Sequence, residues 1–156
     1  MMTQDQKYMS LAIKQAKIAE SLNEVPVGAI IVYNDKIISS GYNKREKLNN
    51  SLCHAEIEAI NGACEYLNRW RLIDCHLYVT LEPCAMCAGA IINARISRVI
   101  YGASDPKSGS CGSIVNLFDL PYNHKPELIG KILEDECSAI ISNFFRRIRN
   151  CRGTIK

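Results

Sequence analysis

Two thiols three positions apart, Cys84 and Cys87, stand in the stretch "LEPCAMCAGAI" at 81–91. A C-x-x-C pair serves a redox exchange, half of a structural zinc knuckle, or part of a metal centre completed from elsewhere in the chain. On a helix, positions i and i+3 share a face, and Ala88 and Ile91 continue that face as an apolar stripe. The amide groups at a helix start favour thiolate over thiol, which suits a metal and a redox pair equally. A catalytic zinc takes three protein ligands and leaves a position for water. The chain has three histidines, His54, His76 and His124. His54, in "CHAEIEAI" (53–60), opens a helix much as Cys84 nearly opens another, whereas His76 starts a strand and His124 sits in a loop.

The acids beside His54 sort by helical geometry. Ile57, Ile60, Ala63, Cys64 and Leu67 mark the inward side, Glu56 falls at its border, and Glu58 and Glu65 point away. A carboxylate turned inward is costly unless it is paired or functional, so Glu56 needs a reason and Glu58 does not. In order, the chain then reads His54-x-Glu56, twenty-six residues, and Pro83-Cys84-x-x-Cys87. That order resembles the H-x-E…P-C-x-x-C signature of zinc-dependent nucleobase deaminases. The residue types fit that chemistry. One neutral imidazole and two thiolates neutralise Zn²⁺, so its water is acidified less than at a three-histidine site. A nearby carboxylate that accepts the proton, passes it to a ring nitrogen and then to the leaving ammonia makes up the difference. As a ligand Glu56 would fill the water's position; it is therefore assigned to acid–base work.

These residues must be held by an ordered set of elements. Thr3 and Gln6 form a candidate capping box, followed by Tyr8, Leu11, Ala12, Ala16, Ala19 and Leu22 on one face of a first helix. "VGAIIVY" (27–33) and "KIISSGYN" (36–43) read as an antiparallel pair joined by Asn34-Asp35. A helix is expected over about 53–67, a strand at 76–81, and a helix with Pro83 in its first turn. A strand within 95–103, a Gly/Ser/Pro-rich loop at 104–113, the segment "PELIGKIL", which reads as a short strand or the start of a helix with strand preferred, and a helix from Glu134 to about Asn150 complete the pattern. Helix, hairpin, then alternating helix and strand imply a three-layer α/β/α domain spanning 1–156, with its active-site loops at strand carboxyl ends.

The composition, 47% hydrophobic and 22% charged, is that of an ordinary globular chain. Uncharged runs such as 25–34 are too short to cross a bilayer. The polar start "MMTQDQKYMS" lacks the apolar core of a signal peptide, so a cytoplasmic protein is expected. Eight cysteines in such a reducing setting are expected to be buried side chains or metal ligands, not disulfides. Net charge is +3, but "FFRRIRNCRGTIK" carries Arg146, Arg147, Arg149, Arg152 and Lys156 without an acid. Such a basic end attracts phosphates or simply favours a helix terminus. Cys137, Ile140, Ile141, Phe144, Ile148 and Cys151 form the expected core stripe of that last helix, leaving Phe145 in line with Arg149 and Arg152. An aromatic ring beside arginines can stack on an unpaired base, or pack against the first helix.

Beyond the signature, nearly the whole chain resembles the bacterial tRNA-specific adenosine deaminases. The resemblance is carried by "EVPVGAIIV" (24–32), "GYN" (41–43), "HAEIEAI" (54–60), the block at 71–109, "NH" (123–124) and "ILEDECSAIISNFF" (132–145). It implies a cytidine-deaminase-like fold, a five-stranded mixed sheet between helices. It further implies a homodimer that converts the wobble adenosine of a tRNA anticodon stem-loop to inosine with one zinc per subunit. By position, His54, Cys84 and Cys87 resemble the zinc ligands and Glu56 the proton shuttle. Asn43 resembles a contact to the flipped nucleotide, Val27 and Ala55 the wall of the base pocket, and Asp105 and Lys107 contacts to neighbouring nucleotides. The chain departs from the pattern at Cys53, beside a ligand, and in the loop 114–122. Deamination of a free base or nucleotide, of the guanine, cytosine or deoxycytidylate type, is the nearest alternative reading. A noncatalytic zinc-stabilised RNA-binding domain and a redox protein are the others.

Overall fold

The computed structural model describes residues 1–153. Its elements run α1 (Gln4–Ser21), β1 (Gly28–Tyr33), β2 (Lys36–Tyr42), α2 (Ala55–Leu67), β3 (Cys75–Leu81), α3 (Ala85–Ala94), β4 (Arg98–Ala103), a 3-10 turn (Leu117–Asp119), β5 (Glu127–Ile129) and α4 (Glu134–Gly153). The strands form one sheet in the order β2-β1-β3-β4-β5. β1 pairs antiparallel with β2 and β3, while β3–β4 and β4–β5 are parallel. The sheet is therefore mixed, with helices on both faces.

Side-chain alternation along the strands builds two cores. Ala29, Ile31, Leu77, Val79, Val99 and Tyr101 face Ala59, Ala63, Ala88 and Ile91 of α2 and α3. Their neighbours Ile30, Val32, Tyr78 and Ile100 face Met9, Ala12 and Ile13 of α1 and Cys137 of α4. These strands are apolar on both faces because both faces are covered.

Local signals account for most boundaries. Thr3 caps α1 through a complete capping box with Gln6. Asn34 and Asp35 both take positive φ, 49° and 60°, as the turn between right-twisted antiparallel strands requires. Glu127–Ile129 of "PELIGKIL" is a strand, set beside β4. The register of the helical stripes differs from the sequence expectation in three places. In α1, Met9 and Ile13 are buried and Leu22 is exposed. In α2 the buried set is Ala55, Glu56, Ala59, Ile60 and Ala63, so Glu56 lies within the inward face. The small alanines let α2 approach the sheet closely, which turns Ile57 and Leu67 to its margin. Gly41 makes the same contact from the sheet side: a Cβ there would stand 2.5 Å from the Ala55 carbonyl oxygen. In α4 Cys137 and Phe144 are buried, but Cys151 is exposed near the helix end.

Pro83 lies one residue before the cap of α3, outside its first turn, and His54 likewise precedes α2. The sheet topology then determines where the site can be. β3 and β4 run parallel, so the segments after Leu81 and Ala103 emerge at the same edge. Gly28 pairs with Tyr42, which brings the start of β1 and the end of β2 to that edge too.

Candidate metal centre and substrate pocket

His54 and Cys84 are the N-cap residues of α2 and α3, both extended, with ψ of 155° and 177°. Neither side chain makes a capping hydrogen bond. Each is thereby free to point at the other across the gap between the two helix starts. Cys87, three residues after its cap, occupies the place of the returning side chain in a capping box, so the two sulfurs converge.

His54 Nδ1 lies 3.6 Å from the sulfurs of both Cys84 and Cys87. All three donor atoms fall within 4.8 Å of one another, and among the described residues these three form the candidate metal group. Zinc–sulfur and zinc–nitrogen bond lengths at a tetrahedral angle predict a sulfur–nitrogen separation of about 3.6 Å. The donor set and its spacing fit zinc. Hydrogen bonding from Cys87 draws the Cys84 thiol down to about 4, and pushes Cys87, the donor, well above the ordinary thiol range. The hydrogen bond to Cys84 raises His54. Protons thus hold the cluster together where a divalent cation would replace them, and metal affinity falls as pH falls. Cys53 is not among the donors; it packs beside Glu58 and Lys44. His124 Nε2 bonds the Ile96 carbonyl at 2.7 Å. His76 lies beside Asp5 and Arg98 and is lowered chiefly by burial.

A cavity of about 770 Å³ opens over this cluster. Val27, Asn43, His54, Ala55, Glu56, Cys84, Asp105, Lys107, Phe145 and Arg149 all line it; Cys87 lies fully buried beneath. Every residue singled out from sequence is therefore in one place or directly under it. Arg146, named in sequence as part of the basic end, also lines the cavity, as do Arg45 and Ser142, which no sequence signal selects. Its inner part sets Val27 and Ala55 beside Asn43, His54, Glu56 and Cys84. Ala55 is the first residue of α2, so its backbone N–H has no intrahelical partner. Its outer part is basic: Arg45, Lys107, Arg146 and Arg149 are exposed, and Phe145 is 41% exposed beside them. Phe144, the buried neighbour, meets Phe145 edge-on at 5.5 Å. Lys156 of the basic tail lies outside the described residues.

Three acids line the cavity, Glu56, Glu82 and Asp105. Asp105 accepts hydrogen bonds from the Lys107 and Ser108 backbones and the Ser108 hydroxyl, an Asx turn that shapes its own loop. Glu82 accepts from the backbones of Asp105, Cys111 and Ser113. Glu56, 4% exposed, has its pKa raised by burial and faces the Cys87 thiol. It is the acid whose carboxyl is directed at the donor cluster and not at loop backbone. Asn43 is partly engaged as well: its amide bonds the Val25 carbonyl at 3.2 Å and accepts from Arg45 N–H at 3.1 Å. One N–H and one lone pair of that amide remain for a ligand. Glu24, also buried, accepts from the Glu46 and Lys47 backbones and steadies the segment that carries Arg45.

Residues 3–149 match the MafB19-like deaminase family. The chain is 48% identical over 149 residues to the tRNA-specific adenosine deaminase of Bacillus subtilis, covering 95% of this chain and 92% of that one. It is 43% identical to the protein of the same name from Haemophilus influenzae, covering 93% and 85%. A solved structure from work on A-to-I editing by tRNA:A34 deaminases at the wobble position of transfer RNA superposes with a TM-score of 0.84. It is 44% identical, over 86% of this chain and 98% of that one. A guanine deaminase from Nitrosomonas europaea, 18% identical, shares the fold at a TM-score of 0.79. With the donor cluster, the buried acid and the mixed five-stranded sheet already in place, these matches put the chain in the MafB19-like deaminase family, among the tRNA-specific adenosine deaminases.

Proposed function

We propose that the chain, acting as one domain over 1–156, hydrolyses the wobble adenosine of a tRNA anticodon to inosine and ammonia. The observation that carries this is one cavity with His54, Cys84 and Glu56 inside, Cys87 directly beneath, and Arg45, Lys107, Arg146, Arg149 and Phe145 at the mouth. A free base needs only the inner part. Cations with an exposed ring suit the phosphates and unstacked bases of a single-stranded loop.

In this reading His54, Cys84 and Cys87 hold one zinc per subunit, which supplies Lewis acidity that makes water nucleophilic near neutral pH. Glu56 takes one proton from the attacking water and delivers it to the adenine ring nitrogen, then takes the second proton from the hydroxyl now bonded to the base carbon and hands it to the departing amine, which leaves as ammonia. Its burial helps, because it raises the pKa, the direction that suits a carboxyl which must release a proton as well as accept one. Val27 and the N–H of Ala55 bound the base, and Asn43 orients it through its remaining hydrogen-bonding positions. Asp105 and Lys107 meet neighbouring nucleotides, while Phe145 and Arg149 stack and hold phosphate.

The test is inosine formation in a short anticodon stem-loop RNA whose wobble base is adenosine, with free adenosine and free guanine alongside. Inosine from the stem-loop alone is expected. Turnover of the free bases with an unreacted stem-loop would replace this reading with a free-base deaminase.

The active form is read as a homodimer in the cytoplasm. No described helix is long and apolar enough to cross a membrane. Most apolar residues of α3, the segment that suggests an interface in sequence, are spent in the chain's own core, with Ala90 packed at its edge; Met86, Gly89 and Asn93 stay outside it. Exposed Leu48, Leu52, Ile114 and Val115 offer further apolar surface for a partner copy. Light scattering at assay concentration is expected to give twice the 17.5 kDa chain mass. A monomeric mass in the active fraction would end the dimer reading.

A further inference from the structure

The geometry points to Glu82 as a positioning residue that sets the substrate loop 104–113 in place relative to the metal-ligand segment Pro83-Cys84. Glu82 is 2% exposed and stands directly before that segment, at the end of β3. Its Oε1 accepts from the Asp105 N–H at 3.1 Å and from the Ser113 hydroxyl. Its Oε2 accepts from the Cys111 N–H at 3.0 Å and the Ser113 N–H at 3.1 Å. Four donors from both ends of the loop thus converge on one side chain, and all of them require an acceptor. An ionised carboxylate is acceptor-only at both oxygens; an amide is not.

Other contacts align the loop on the same segment. Ser110 N–H donates to the Pro83 carbonyl at 2.8 Å, and Gly109 forms a β-bridge with Cys84 itself. A Cβ at Gly109 would run into the Glu82 carboxyl, so the loop closes over the acid with no room to spare. Strand end, donor Cys84 and the loop that carries Asp105 and Lys107 are therefore one hydrogen-bonded unit. Asp105 is tied through its backbone, which leaves its side chain to form the turn presenting Lys107. Displacing a gripping residue by even about 1 Å costs on the order of a hundredfold in rate, so a fixed loop matters to a substrate that must be held while one base is reacted.

This inference rests on the RNA-editing reading, so the unmodified protein is assayed first on the stem-loop. If it forms no inosine, that reading fails on its own. Glu82→Gln keeps size and shape but turns an N–H₂ toward at least one backbone N–H, that of Asp105 or those of Cys111 and Ser113. Hydrogen exchange at the amides of 105, 111 and 113 is expected to accelerate, with zinc content near one per subunit. KM for the stem-loop is expected to rise about 10- to 100-fold, with kcat changed less. Combined with Lys107→Ala, the Glu82→Gln effect should shrink, because both act through the same grip. Should Glu82→Gln not fold, Ser113→Ala removes one exposed donor and is expected to move KM and amide exchange the same way, several-fold. Unchanged exchange in 105–113, or KM unchanged while zinc and thermal stability fall, would overturn the inference. Additive effects with Lys107→Ala would do the same.

Discussion

Glu56→Ala is expected to lower single-turnover inosine formation by about 10²- to 10⁴-fold while zinc content and stem-loop affinity stay unchanged. The size follows from the task. A positioned acid–base group contributes that much when the reaction needs a proton taken and returned within one turnover. Glu56 alone among the acids lining the cavity can do so, since Glu82 and Asp105 have their oxygens occupied by loop donors. Stability should hold or rise, because the substitution removes a desolvated carboxyl from the inward face of α2. Rate, bound zinc and RNA affinity must be measured on the same preparation. A variant within about threefold of the unmodified rate would remove Glu56 as the proton shuttle. A variant that lost its zinc would recast Glu56 as support for the ligands.

The second large effect is expected at Cys87. Cys87→Ala should reduce bound zinc from one per subunit to a small fraction and take deamination to background. The sulfur is fully buried and is one of the three donors that form the candidate metal group among the described residues. Alanine is close in size and apolar, which keeps the packing cost small and separates metal loss from core damage. At free zinc a thousandfold above Kd, a metal that binds the folded state alone stabilises it by about 4 kcal/mol. The thermal midpoint of the unmodified protein should therefore rise with added zinc, and that of Cys87→Ala should not. Cys53→Ala is the control: it adjoins His54 in sequence but faces Glu58, and its zinc content should match the unmodified protein. Full zinc loading of Cys87→Ala would sink the ligand assignment.

Much of this molecule is legible from local signals. The capping box at Thr3, the Asn34-Asp35 turn and the apolar strands "AIIV" and "LYV" each state their conformation in a few residues, because capping, turn handedness and burial act over that range. The short strand Glu127–Ile129 is only half legible: its sequence also fits the start of a helix, because three residues carry little periodicity and their pairing comes from β4. Less legible is the rotation of the helices. In α2 the bulky residues suggest one inward face, but contact with the sheet is made by alanines opposite Gly41, and that choice moves Glu56 from the border into the core. A stripe of small residues carries a weak signal in sequence and a strong one in packing.

By itself the sequence determined the chemistry: which side chains can bind a metal, which acid must be explained, and the order in which they occur along the chain. That information is local, since donor type and an i, i+3 spacing need no partner to be read. Only the tertiary structure decided that two helix N-caps thirty residues apart, His54 and Cys84, stand 3.6 Å from nitrogen to sulfur. It likewise decided that α4 brings Phe145, Arg146 and Arg149 over the same cavity, and that Glu82 gathers its loop. Those placements depend on strand order and on parallel β3 and β4 releasing their loops at one edge, a property of long-range pairing that no short stretch of sequence contains.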